Sequence, residues 1–338
     1  MLPKPSFAAI APALAAFLFP ADCPADPPMP APVAQPAQSE ATPAPAAPEP
    51  PPPPTPPPKF QTVLPSPDYV LVWTDEFDAT VLDETKWSHY ALGPRRDAVN
   101  VREAVALDGK GHLVMTTSRA MVKQEDGSEK PEYKTGMIST LGKFETTYGY
   151  FECRMKLQKE VGHWSAFWIN TPTMGNPVGD PAKAGVEIDV IEYLRNADYG
   201  DKVNHTIHWD HKTPKYERDF AKLPYPGIGE GFHTFGCEWT PDVLVFYVDG
   251  KETWRTSKAI PKRDQYMILS LEVGKWADDI AQATLPDSIE VDYVRVFKKK
   301  AEVERPPEGQ TPKAEIPKAE PAPQVEQTPK GEPMHEVK

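Results

Sequence analysis

Three acids stand close together in the segment Gly185-Val-Glu-Ile-Asp-Val-Ile-Glu-Tyr-Leu-Arg195. Paired carboxyls are the working groups of glycoside hydrolysis, where one attacks the sugar and another moves the proton. Their neighbours Val186, Ile188, Val190 and Ile191 favour an extended strand, because branched side chains fit a pleated surface. Alternation along a strand puts Glu187 and Asp189 on one face and Glu192 on the other. One extra residue, a β-bulge near Val190 and Ile191, would return Glu192 to the face of the other two, and bulges are frequent beside active sites. Three carboxyls on one face are costly unless they share protons or meet a ligand. Glu187, Asp189 and Glu192 are therefore the candidate catalytic residues. The plainer alternative is an acidic strand face that binds calcium or is merely solvated.

A strand of this kind needs a sheet to hold it, and composition locates that sheet in the middle of the chain. Of 42 prolines in 338 residues, 23 precede Asp68 and 8 follow Lys300, and all eight tryptophans lie between Trp73 and Trp276. The middle therefore carries the core, and its length suits one large β domain. Alternation recurs through it. Phe151, Cys153, Met155 and Leu157 share one face while Glu152, Arg154 and Lys156 share the other. Asp249-Gly250 is a hairpin signal between Val243–Val248 and Lys251–Thr256. His112–Thr117 and Ile289–Phe297 read as further strands, and helical periodicity is hard to find. The expected fold is an all-β sandwich, or jelly roll, whose curved inner sheet lines a cleft.

The ends differ in kind. Residues 1–25 have one early lysine and then a short apolar run, the pattern of a signal peptide. Cys23 falls where a lipoprotein would be acylated, and a cytosolic Ala/Pro-rich tail is the alternative. Residues 26–65 form a Pro/Ala-rich linker of polyproline character, residues 66–300 the domain, and residues 301–338 a Pro/Lys/Glu-rich tail expected to be disordered. Export to the periplasm, cell surface or medium follows, with the N-terminal segment as a tether to membrane or wall. The net charge of −12 argues against nucleic acid, and against strongly sulfated substrates unless a basic patch lies at the cleft. Cys153 and Cys237 each alternate with apolar neighbours and read as two buried thiols, with a single bridge left open.

Several segments together resemble glycoside hydrolase family 16. Glu187-Ile-Asp-Val-Ile-Glu192 is similar to that family's signature in its bulged form. Leu71-Val-Trp-Thr-Asp-Glu-Phe77 with Leu82-Asp-Glu-Thr-Lys-Trp87 resembles its opening strand, and Tyr148–Lys156 followed by His163-Trp-Ser-Ala-Phe-Trp168 the region before the signature. Asn204-His-Thr-Ile-His-Trp209, Phe232–Asp242 and Val291-Asp-Tyr-Val-Arg-Val296 resemble later strands. The resemblance implies a concanavalin-like jelly roll and a retaining endo-hydrolase of β-linked polysaccharide. By position it makes Glu187 the nucleophile, Glu192 the general acid/base and Asp189 the assisting carboxylate. No cofactor is implied for catalysis, and the protein is expected to act as a monomer. Asp292, and less directly Glu76, match a structural calcium site of the family.

Trp164, Trp168, Trp209 and Trp276 are candidates for stacking on sugar rings, each weighed against a place in the core. His208 resembles a substrate-contacting position. His205 and His211 should face away from it, so the three cannot ligate one ion. The segments Asn170–Gly185 and Leu269–Trp276 depart from the version typical of laminarinases. A β-1,3- or β-1,3/1,4-linked glucan is the expected substrate, and a β-galactan of the agar, carrageenan or porphyran type the alternative, with Arg95 and Arg96 set to meet acidic groups. A non-catalytic carbohydrate-binding module on the same fold is the rival from another class.

Overall fold

The computed structural model describes residues 60–304. The expected signal peptide, the acylation site at Cys23, most of the linker and nearly all of the tail lie outside the described residues. Two sheets face each other across one core. In the eight-stranded sheet the order is Glu217–Pro224, Lys202–Trp209, Glu187–Leu194, His163–Asn170, Gln265–Val273, Met137–Ser139, Ser88–His89, with Glu145–Thr146 beside Gln265–Val273. At the centre of the eleven-stranded sheet, Gly149–Lys156 lies between Phe232–Trp239 and Asp287–Lys299. Phe167, Ile188, Ile191 and Leu271 from one sheet pack with Phe151, Met155, Phe235 and Val294 from the other. This is the expected all-β sandwich. Among the described residues, the only α-helices are Pro181–Ala184 and Lys300–Val303, and no helix is long and apolar enough to cross a membrane.

The local reasons are those the sequence suggests. Asp249 and Gly250 take φ of 51° and 72°, the left-handed pair that a tight hairpin needs. Cys153 and Cys237 are free and buried. They sit on adjacent strands, but each lies opposite a phenylalanine (Phe235 and Phe151) rather than opposite the other.

The outer face of the eleven-stranded sheet holds a second polar layer. Arg295 is 1% exposed and grips Glu76 with two hydrogen bonds of 2.8 Å. It also donates to the Phe60 carbonyl at 2.6 Å and to Thr62 at 3.0 Å. Glu152 beside it accepts from the hydroxyls of Tyr150 and Tyr293. Phe60 and Thr62, within the expected linker, are thus tied to the sheet by Arg295. Asp292 accepts from Arg154 at 2.7 Å, and the Arg154 guanidinium lies over the rings of Phe60 and Phe232. Glu76 and Asp292 thus each face a fixed guanidinium. That donor set does not fit a calcium ion, which needs several uncommitted oxygens and would be repelled by the adjacent cations.

Candidate active site

The strand Glu187–Leu194 carries the bulge. Asp189 pairs with Trp168 and Ile191 with Phe167, so Val190 is the residue without a counterpart on that neighbour. On the other side the register slips between Asp189 and Glu192. Val190 and Ile191 both enter the core, and Glu192 returns to the outer face with Glu187 and Asp189. The strand's entry is fixed by Gly185 at φ 81°, where a Cβ would meet Thr171 at 2.5 Å. Gln265 then grips Val186 on both its amide (2.9 Å) and its carbonyl (2.8 Å).

The three carboxyls lie in a cleft of about 750 Å³ whose walls include Arg95, Arg96, Trp164, Tyr266 and Glu272. Asn170 donates to Glu187 Oε2 at 2.8 Å, and Asn204 to Glu192 Oε2 at 3.2 Å. Asp189 Oδ2 is buried without an aligned hydrogen-bond partner, and the imidazole Nε2 of His208 lies 3.3 Å away. Burial, the Glu187 charge and the Glu272 charge raise the Asp189 carboxyl well above the usual carboxylate range. Burial also raises Glu192 strongly, helped by Asp189, Glu187 and Glu272 and opposed by Arg96. Glu187 is raised by burial and Glu272, but His208, the Asn170 hydrogen bond and Arg95 oppose that rise. The group best supplied with partners for a negative charge is thus Glu187, while its neighbours are better suited to hold protons.

Glu187, Asp189 and His208 also form the one grouping among the described residues whose ligand-type atoms lie within 4.8 Å of one another. Here Asn170 donates to Glu187, and His208 Nε2 stands 3.3 Å from Asp189. His208 Nδ1 lies 2.7 Å from the Tyr216 hydroxyl, with the two rings stacked at 12°. Burial holds the imidazole below its ordinary pKa despite the Glu187 charge. His205 turns inward to Val190 O and Thr253, as alternation requires. His211 does not follow that alternation. The strand ends at Trp209, Asp210 adopts φ 54°, and His211 swings back to line the cleft.

The tryptophans divide. Trp168 lines the cleft and donates to Ser270 at 3.1 Å. Trp164 is 4% exposed beneath the Arg96 guanidinium, 5.1 Å from its ring. Trp276 packs edge-on to Trp164 and is 41% exposed, so it still presents an open ring. Trp209 is a correction: it points opposite to His208 and packs against the core. Asn170, Asn204, Tyr216 and Glu272 are site residues that were not among the expected ones. Asn204 shares parity with Thr206 and His208, and Glu272 with Ser270, so alternation carried a signal for both. Tyr216 reaches the site from the turn before Glu217–Pro224 and left no such signal.

Comparison with known proteins agrees with this geometry. Residues 69–299 match the family model described as beta-porphyranase A-D, GH16 domain. A keratan-sulfate endo-1,4-beta-galactosidase of Sphingobacterium multivorum is 29% identical over 250 residues, covering 70% of this chain and 57% of that protein. A beta-glucanase of Rhodothermus marinus is 27% identical over 258 residues, covering 69% and 86%. The chain spans less than two thirds of the length of the first curated relatives it matches. The laminarinase catalytic domain of Thermotoga maritima MSB8 superposes with a TM-score of 0.57 at 29% identity, over 68% of this chain and 98% of that one.

Proposed function

The chain belongs to glycoside hydrolase family 16, and on that premise we propose that it is a retaining, endo-acting hydrolase of β-linked polysaccharide. The observation that carries the proposal is the bulge at Val190, which gathers three carboxyls on one face in environments that push their proton affinities apart. Glu187, held by Asn170, attacks the anomeric carbon as the glycosidic C–O bond breaks. Glu192 keeps its proton through burial and the neighbouring negative charges and gives it to the departing oxygen. Esterification removes the Glu187 charge, so Glu192, having given its proton to the leaving oxygen, remains ionised and can take a proton from the incoming water. Water then cleaves the ester with retention. Asp189 shares a proton with Glu187 and holds it in position. A non-catalytic module would gain nothing from three desolvated carboxyls, which cost stability.

The substrate favoured first is a β-1,3- or β-1,3/1,4-glucan, in line with relatives described as beta-glucanase and glucan endo-1,3-beta-glucosidase. One observation favours a β-galactan as second reading: the matching family model is of the porphyranase type, and Arg95 and Arg96 line the cleft. Trp164 and Trp168 line the cleft and Trp276 offers an open ring beside Trp164, which makes these three the candidates for sugar stacking. Export, with tethering through the N-terminal segment, rests on the sequence of residues 1–65 alone. The test is reducing-end release from laminarin, lichenan, agarose, κ-carrageenan, porphyran and xyloglucan, with Glu187→Gln as control. Cleavage of one polymer, lost in the control and giving the β-anomer first, supports both chemistry and class. Substantial turnover by Glu187→Gln or Glu192→Gln would overturn the assignment.

A further inference from the structure

A fourth acid lines the same cleft and stands outside the mechanism above. Glu272, from the strand Gln265–Val273, is 5% exposed. It accepts two hydrogen bonds of 3.0 Å from Arg95 and one of 2.7 Å from Arg96. The turn that carries these arginines is docked on the same strand, with Asp97 N donating to Val273 O at 3.2 Å. Arg96 itself is held at φ 54°, a conformation that costs energy for a residue with a side chain and persists only where its surroundings impose it. Here the surroundings are Glu272 on one side and the Trp164 ring, 5.1 Å away, on the other.

We propose that Glu272 is a positioning residue: it seats Arg95 and Arg96 on the cleft wall and keeps them from closing onto Glu187 and Glu192. Two mobile guanidinium groups in a cleft with three acids would pair with whichever carboxylate offers a bidentate fit. Pairing with Glu192 would strip its proton and leave no acid for the leaving oxygen. Glu272 prevents this by offering both arginines a better-fitting partner, and its own charge favours the protonated form of Glu192. The charged and titratable groups around Glu192 are Glu187 and Asp189 on its own strand, Glu272 on Gln265–Val273 and Arg96 on the turn. His208, on the strand Lys202–Trp209, acts on Glu187, and His211 and Lys212 line the cleft beyond it. The strand His163–Asn170 adds Trp164, Ala166, Trp168 and Asn170 to this face, none of them titratable, and the Tyr216 hydroxyl feels the Glu192 charge from the turn before Glu217–Pro224.

The proposal rests on Glu192 as general acid, and its test separates the two ideas. The full chain is assayed on the polymer it cleaves, with kcat and KM followed between about pH 4 and 9. In Glu272→Gln the alkaline limb of kcat moves down by about one pH unit and plateau kcat falls ~10-fold, with KM changed less. Arg96→Gln moves the limb up, because a cation beside Glu192 is lost. Adding Arg96→Gln to Glu272→Gln brings the limb back towards the parent. Glu272→Asp, which keeps the charge, stays near the parent. A purely structural Glu272 would lower the melting temperature and the active fraction but leave every limb in place, and that outcome overturns the proposal. The Arg96 side chain is half exposed, and an unmoved limb in Arg96→Gln overturns the proposal even where Glu272→Gln fails to fold. Turnover retained by Glu192→Gln removes the underlying mechanism and the proposal with it. An inactive Glu192→Gln beside an unchanged Glu272→Gln removes the proposal alone.

Discussion

The two outer faces of the sandwich bury the same kind of side chain to opposite ends. On the eleven-stranded sheet, Glu76 is matched by Arg295, Asp292 by Arg154, and Glu152 by two tyrosine hydroxyls. On the eight-stranded sheet, Glu187, Asp189 and Glu192 stand together with two asparagine donors and a histidine, and the two nearest arginines are held by Glu272. The difference shows in the proton affinities where a guanidinium makes both hydrogen bonds, at Glu76, whereas Glu152, which has hydroxyl donors, is itself raised by burial. Burial pushes Glu76 up, but the hydrogen bonds from Arg295 and Thr74 outweigh it and the carboxyl ends below its ordinary value. Asp189 and Glu192 end far above theirs. A buried acid with its counter-charge built in is a structural device. One denied a counter-charge is poised to exchange a proton.

The most severe way to break the contrast is to remove an acid from the cleft. Glu187→Gln and Glu192→Gln should each lower turnover by about 10³-fold, with melting temperature unchanged or higher, since an amide is cheaper to desolvate than a charge. A clear loss of stability in either would place that carboxylate among the structural ones. The matching change on the other face is Arg295→Met. It leaves the half-buried Glu76 with Thr74 but without its guanidinium, and should cost about 2–3 kcal/mol by chemical denaturation. Activity per folded molecule should be retained. If Arg295→Met lost less than about 1 kcal/mol, in the range of exposed pairs, the back-face network would not be holding the fold.

Glu76 and Glu192 should also respond to pH with opposite signs. The folded value of Glu76 is depressed, so its contribution to stability is present above the unfolded value of about 4.3 and fades as pH falls below it. For Glu192 the folded value is raised. Between about 4.3 and that raised value the folded state holds a proton that the unfolded state has lost, so stability declines as pH rises through the window. Melting curves of the parent and of Glu192→Gln should therefore diverge with rising pH, the variant gaining relative to the parent. Parallel curves would mean that Glu192 is not perturbed by folding.

What could be seen in the sequence follows the range of the interaction. The bulge was legible because Val190 and Ile191, two apolar residues in succession, interrupt an alternation of acids. The Asp249-Gly250 hairpin was legible because its turn needs only two residues. Trp209 was misplaced although period 2 alone sets it opposite His208, so both could not face the cleft. Arg295 and Glu76 are 219 residues apart in sequence, and Arg95 and Glu272 are 177 apart. No local pattern announces such partners, because they are set by which strands the topology makes neighbours. Tyr216 enters from a turn, where periodicity carries no information at all.

The smallest effect expected is itself diagnostic of the back face. Glu76 and Asp292 were expected from the sequence to share a calcium ion, and chelation would then unfold or soften the domain. Their oxygens instead accept 2.8 Å and 2.7 Å hydrogen bonds from Arg295 and Arg154. Arg295 is in turn tied to Phe60 and Thr62, and Arg154 is held between the rings of Phe60 and Phe232. An ion entering there would have to displace two guanidinium groups that the packing holds in place, and each carboxylate would lose a charge-assisted pair to gain one metal bond. Treatment of the full chain with excess EDTA, followed by calcium, should therefore leave the melting temperature within about 1 °C of its starting value, a ΔΔG of only a few tenths of a kcal/mol. A calcium-dependent rise larger than that in the parent, abolished in Asp292→Asn, would show that the arginines yield to the ion and that this face is a metal site after all.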